Sequence, residues 1–288
     1  MSEGARAQVF EARLARANLW LLLVYEIAAV VPAVFLHLLK VPSPWKDLGA
    51  VLLSFGAAAL WAVRALPESS FSFRQLAGCL PRGRAWRLVL AVVFNNLTLS
   101  IGLYGLSRLI GVPLVEARDI GPSQAEATFE GRALFLVLVA VIAAPLVEEL
   151  VFRGILFRKL RFQRGALFAL FLTSLLFAAL HPGRQLNMAI LGMQLVLLYT
   201  STRTLWAPVL AHLINNSVGV GVLIASSGVE LDRGGPGLSV TVAALGLGGA
   251  GLAWFVHSTR HTLRDPLPPF DRSEPAPEPA ARPLALED

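Results

Sequence analysis

The chain has 288 residues, 55% of them hydrophobic and only 15% charged, with a formal net charge of +6. Soluble domains carry about 25% charged residues, and here apolar stretches long enough to cross a bilayer recur along the chain, so a soluble domain is excluded and a polytopic membrane protein is expected. The positive charge comes largely from arginines between the apolar runs, where lipid headgroups account for it, and nucleic acid is not an expected partner.

Eight helices are expected, at 18–39, 48–66, 87–110, 132–157, 165–182, 186–201, 205–226 and 237–257. Together they make an all-α transmembrane bundle of about eight spans. Residues 1–17, with Arg6, Arg13 and Arg16, precede the first run. That run is too long for the h-region of a signal peptide and lacks a small-residue cleavage site, so a retained helix is expected. Glu26 stands alone within it, and a buried hydrogen bond is its only evident use. The loop after the second helix holds Arg64, Arg74, Arg82, Arg84 and Arg87, and with them Cys79. A sole cysteine excludes an intrachain disulfide and a thiolate metal cluster, and Cys79 is expected as an unpaired loop thiol.

The third helix carries Asn95 and Asn96, and the loop beyond it balances its bases with acids: Glu116, Arg118, Asp119, Glu126, Glu130 and Arg132. The fourth contains PLVEELVFRG (145–154), with Glu148, Glu149 and Arg153, and leads into Arg158, Lys159, Arg161 and Arg164. The fifth closes on FAALH, ending at His181, and a tight HPGR turn leads to the sixth. There Asn187 and Gln194 lie seven residues apart on one face, suited to bonding between helices or to lining a cavity. AHLINN in the seventh supplies His212, Asn215 and Asn216, and LGLGGAGLAW in the eighth offers Gly246, Gly248, Gly249 and Gly251 for close helix approach. His37 and His257 sit at span ends and receive no role.

The segment 258–288 becomes Pro-rich and charged, with too little apolar surface to fold, so the expected organisation is 1–17, a membrane domain at 18–257, and a disordered tail. Arginine-rich loops alternate with poor ones, which puts both termini in the cytoplasm. The Ala-, Arg- and Gly-rich composition fits a bacterial inner membrane. Oligomeric state has no sequence signal.

Charged groups at bilayer depth cost roughly 2.5–3.5 kcal/mol each, so Glu148, Glu149 and Arg153 need a reason. Glu149 and Arg153 are i,i+4 with the acid first, the favourable order for an ion pair. Glu148 is turned about 100° away and finds Phe152, not a base, four residues on. His212 and Asn216 are also i,i+4. Three helices thus offer Glu148, His181 and the His212/Asn216 pair to a common interior. A glutamate with a histidine activates a water molecule, and a second histidine with a carboxamide stabilises an oxyanion. Water-activating hydrolysis of an amide is the expected chemistry, with no cofactor favoured. Zinc held by Glu148, His181 and His212 is the competing reading, although HExxH spacing is absent.

In order, EELVFR, FAALH and HLINN fit EExxxR, FxxxH and HxxxN. Over roughly residues 132–226 the chain resembles the CAAX prenyl endopeptidase and bacteriocin-processing family of membrane proteases. The resemblance implies an intramembrane endopeptidase acting on a membrane-associated or lipidated protein or peptide. Glu148 would be the general base and His181 would hold the water with it. His212 and Asn216 would stabilise the oxyanion, and Glu149 and Arg153 would support them. The rival from another class is a proton- or ion-coupled transporter, for which the His212/Asn216 pair has no use. Depth raises one requirement. Glu148 lies about 15 Å from Arg158 and Asn216 about 16 Å from Leu205, whereas His181 lies about 25 Å from Arg164. They meet only if the fifth helix is tilted or begins well outside the membrane.

Overall fold

The computed structural model describes residues 77–112, 137–226 and 236–267 apart from Pro182 and Pro266, together with Leu53, Gly56, Ala57 and Leu60; the side chains of 223–226 are excepted. The expected segment 1–17, the helix over 18–39, Glu26, His37, nearly all of 48–66 and the tail beyond 267 lie outside the described residues.

The described residues are helical and include no strand. Helix α1 spans Arg84–Ile110. Helix α2 covers 137–164 without a break: π-wound at Val137–Ala143, α at Ala144–Glu149, π-wound at Leu150–Phe157 and α at Arg158–Arg164. Then come α3 (Ala166–Ala179), α4 (Gln185–Thr202), α5 (Trp206–Ser226) and α6 (Leu238–Thr259), the last closed by a 3-10 turn at Arg260–Leu263.

Among the described residues two helices are long and apolar enough to cross a membrane by length and composition, Arg84–Ile110 and Leu238–Leu263, each with mean hydropathy 1.7. Large apolar side chains cover the outward faces, among them Leu90, Phe94 and Ile101 of α1, Phe171 and Leu175 of α3, and Val242 and Leu247 of α6. A bilayer covers such a surface at no cost, because hydrocarbon competes with nothing there.

Helix α2 runs seven residues past the expected end at 157, since nothing breaks it before Gly165, whose φ of 90° turns the chain into α3. That extension meets the depth requirement. Measured from Gly165, Glu148 lies 17 residues back and His181 16 residues onward, so the two stand at similar depths along their helices. The two meet across an antiparallel hairpin. The extension also corrects the loop assignment of Arg158 and Lys159, which are helical and buried. Arg158 Nε donates to the Tyr199 hydroxyl at 2.6 Å, and its guanidinium stacks over that ring.

Helices α1 and α6 are in close contact through small residues. A Cβ on Gly248 would fall 2.8 Å from Leu99 Cγ, and one on Gly102 2.7 Å from Leu245 Cδ2. Gly251 abuts the Asn95 side chain, whereas Gly246 and Gly249 face open space. Amides also tie α1 to α4 and α5: Asn95 Nδ2 donates to Gln194 Oε1 (3.4 Å), Asn96 Nδ2 to Asn215 Oδ1 (3.0 Å), and Asn187 Nδ2 to Ser100 Oγ (2.9 Å). Asn187 and Gln194 therefore bond to α1.

Candidate active site

The site begins with the alternation of winding in α2. Pro145 opens the short α segment, which holds Glu148 and Glu149 between the two π-wound stretches. The adjacent carboxylates point to different surroundings, as their offset about the helix requires. Glu149 is 0% exposed and Glu148 18%.

Glu149 Oε1 accepts from Arg153 Nη1 at 2.7 Å and from His212 Nδ1 at 2.9 Å. An ionised carboxylate only accepts, so His212 carries hydrogen on Nδ1, and its Nε2 faces Glu148 Oε2 at 4.0 Å. Arg153 is itself anchored twice. Its Nη2 donates to the Gly192 carbonyl of α4 at 3.2 Å, and its guanidinium lies 4.7 Å from the Phe177 ring centroid, a cation–π geometry. Gly192 also lets α4 lie close against α3, since a Cβ there would come to 3.0 Å from Ser174 Cα.

Phe177 is the ring around which the cluster assembles. Its centroid lies 4.7 Å from His181, 5.7 Å from His212 and 5.4 Å from Phe152. His181 lies just beyond the end of α3 and places Nδ1 2.7 Å from the Phe177 carbonyl. A carbonyl also only accepts, so His181 holds hydrogen on Nδ1 and its Nε2 is not spent on that bond. Asn216, one turn beyond His212, donates from Nδ2 to the Ala140 carbonyl in the first π-wound stretch at 2.7 Å.

The structure thus gathers Glu148, Glu149, Arg153, His181 and His212 from α2, the end of α3, and α5. It sets Asn216 beside them with one amide hydrogen engaged. Glu148 Oε2, Glu149 Oε2 and Arg153 Nε are buried without a hydrogen-bond partner among the described residues, polar atoms suited to water or substrate. Sequence reasoning found the Glu149–Arg153 spacing but not the bond from His212 to Glu149, which depends on interhelical register. It also left Phe177, Gly192 and Pro145 without roles. Phe177 was visible as the first letter of FxxxH, and Pro145 as a proline inside an apolar helix.

Zinc would require Glu148, His181 and His212 to converge. Among the described residues no three His, Cys, Asp or Glu side chains are gathered to hold a metal ion, while the Nδ1 bond of His212 to Glu149 leaves its Nε2 unspent.

Residues 130–218 match the family model of the Type II CAAX prenyl endopeptidase Rce1-like proteins, so the resemblance carried by the three motifs holds over the stretch that contains them. A curated protein of Bacillus subtilis (strain 168), named "Putative membrane peptidase YdiL", is 31% identical over 84 residues. That match takes in 28% of this chain and about a third (34%) of the relative's length. No solved structure matches.

Proposed function

We propose, with the Rce1-like match across the motif-bearing helices as premise, that the chain is an intramembrane endopeptidase. It hydrolyses a peptide bond of a membrane-associated or lipidated protein or peptide. The observation that carries this reading is one partly accessible carboxylate, Glu148, whose buried Oε2 makes no hydrogen bond among the described residues, beside two histidines that spend Nδ1 elsewhere, with His212 Nε2 4.0 Å from that oxygen.

In this reading water binds between Glu148 and His181 Nε2, and Glu148 takes its proton as the oxygen attacks the scissile carbonyl. His212 and the second amide hydrogen of Asn216 stabilise the oxyanion. Glu148 then returns the proton to the leaving amine. Glu149 and Arg153 hold His212 in orientation. The cytoplasmic placement of both termini in a bacterial inner membrane belongs to the same proposal.

The test is cleavage of a panel of membrane-anchored peptides, lipidated and not, by purified protein in bilayers. Wild type is expected to cut at least one of them, with loss of cutting in His181→Ala. Equal turnover by both would remove the assignment of His181. Metal analysis with chelator treatment tests the mechanism: a stoichiometric zinc lost together with activity would replace the glutamate-dependent scheme by a metal-dependent one.

A further inference from the structure

The amides that tie α1 to α4 and α5 each have two ends, and their bonding fixes which end is left over. Asn215 Nδ2 donates to the Ala211 carbonyl at 3.0 Å, so its Oδ1 accepts from Asn96 Nδ2. Asn96 Oδ1 is thereby left over. Ser100 gives its one hydroxyl hydrogen to the Asn96 carbonyl at 2.7 Å, so it accepts from Asn187 Nδ2, and Asn187 Oδ1 is left over. Gln194 shares one end with Asn95, and whichever way that pair is turned its other end is left over. All three ends are buried without a hydrogen bond among the described residues, and Asn96, Asn187 and Gln194 are only 6%, 1% and 0% exposed. Asn95 pairs with Gln194 and Ser100 with Asn187, so α1 and α4 run antiparallel here, and the three ends fall within about 10 Å along the seam.

Water is the ligand that such closed groups admit: it donates to a carbonyl oxygen, accepts from an amide, and is held where two or more polar partners face it. We propose that the seam between α1, α4 and α5 is a water-binding site, its water held by Asn96, Asn187 and Gln194. The seam borders the candidate active site on two sides. Asn215 bonds to the residue before His212 and itself precedes Asn216, while Gly192, between Asn187 and Gln194 on α4, accepts from Arg153. Water held here replenishes the molecule activated at Glu148. That supply role rests on the hydrolase reading above; the site itself rests on geometry and burial alone.

Water-edited solid-state NMR of the isotope-labelled protein in lipid bilayers tests the site. The side-chain NH2 signals of Asn187 and Gln194, assigned by their loss in Asn187→Leu and Gln194→Leu, receive magnetisation from water well above the level of the Ala207 backbone amide, which is equally buried. No excess over Ala207 would overturn the site, and an excess that arises only with a peptide substrate present would overturn it in favour of a substrate-lined seam. Peptide cleavage and thermal unfolding test the supply role. Asn187→Leu fills the volume without a group that binds water, so transfer to Gln194 weakens and kcat falls about tenfold at unchanged KM. Asn187→Ser leaves a cavity yet keeps such a group; its Tm falls below that of Asn187→Leu while its kcat stays above it. Activities that rank with Tm in the two variants, or a kcat for Asn187→Leu equal to wild type, would overturn the supply role. A wild type that cleaves nothing would remove the hydrolase reading, while the water transfer would still decide the site.

Discussion

At the scale of single residues, the two adjacent glutamates have different surroundings. Glu149 has no exposure, accepts from both Arg153 and His212, and so belongs to the architecture of the site. Removing one member of a buried pair leaves the other charge uncompensated and costs about 3–5 kcal/mol. Arg153→Met is therefore expected to lower the thermal midpoint of the purified protein sharply, and Glu149→Gln in the same chain to recover part of the loss. An unchanged midpoint in Arg153→Met would mean that the pair carries no structural weight. Phe177 supports both histidines and the guanidinium with one ring. Phe177→Leu should lower kcat about tenfold or more with a smaller effect on Tm, and unchanged kinetics would sink that role. The Glu149–Arg153 spacing was legible in the sequence because four residues return to nearly the same helical face. The bond from His212 to Glu149 was not, because spacing within one helix says nothing of the register between two.

Among the elements, the α1–α6 contact gives the sharpest contrast. Gly248 meets Leu99 and Thr98 where a side chain would begin, whereas Gly249 faces open space. Gly248→Ala overpacks the seam and is expected to cost about 1–3 kcal/mol. Gly249→Ala is expected to be neutral or stabilising by up to ~1 kcal/mol through helix propensity. Thermal unfolding of the two variants side by side checks this, and equal effects would contradict the packing. The glycine cluster announced close packing in the sequence, but not which of its members face α1. The length of α2 was misjudged because Arg158 and Lys159 read as loop charges. A long side chain can bury its stem while its head finds a partner, as Arg158 does at Tyr199. The winding within α2 was hidden too, since Pro145 announces a disturbance without saying whether the turn widens, kinks or ends.

For the molecule as a whole, the apolar outward faces of α1, α3 and α6 set it in a bilayer. The proposed orientation has a native probe, because the chain's one cysteine, Cys79, is exposed in the segment before α1. A membrane-impermeant thiol reagent added to intact cells is expected to leave Cys79 unlabelled, and to label it after permeabilisation. Labelling in intact cells would invert the topology. The central claim is that Glu148 performs hydrolysis while Glu149 holds the site together. Turnover of a cleaved membrane peptide by Glu148→Gln, purified in its folded form with wild-type Tm, tests it most directly. The account predicts that turnover falls by orders of magnitude while the fold persists; a folded Glu148→Gln protein that cleaves at the wild-type rate would contradict it.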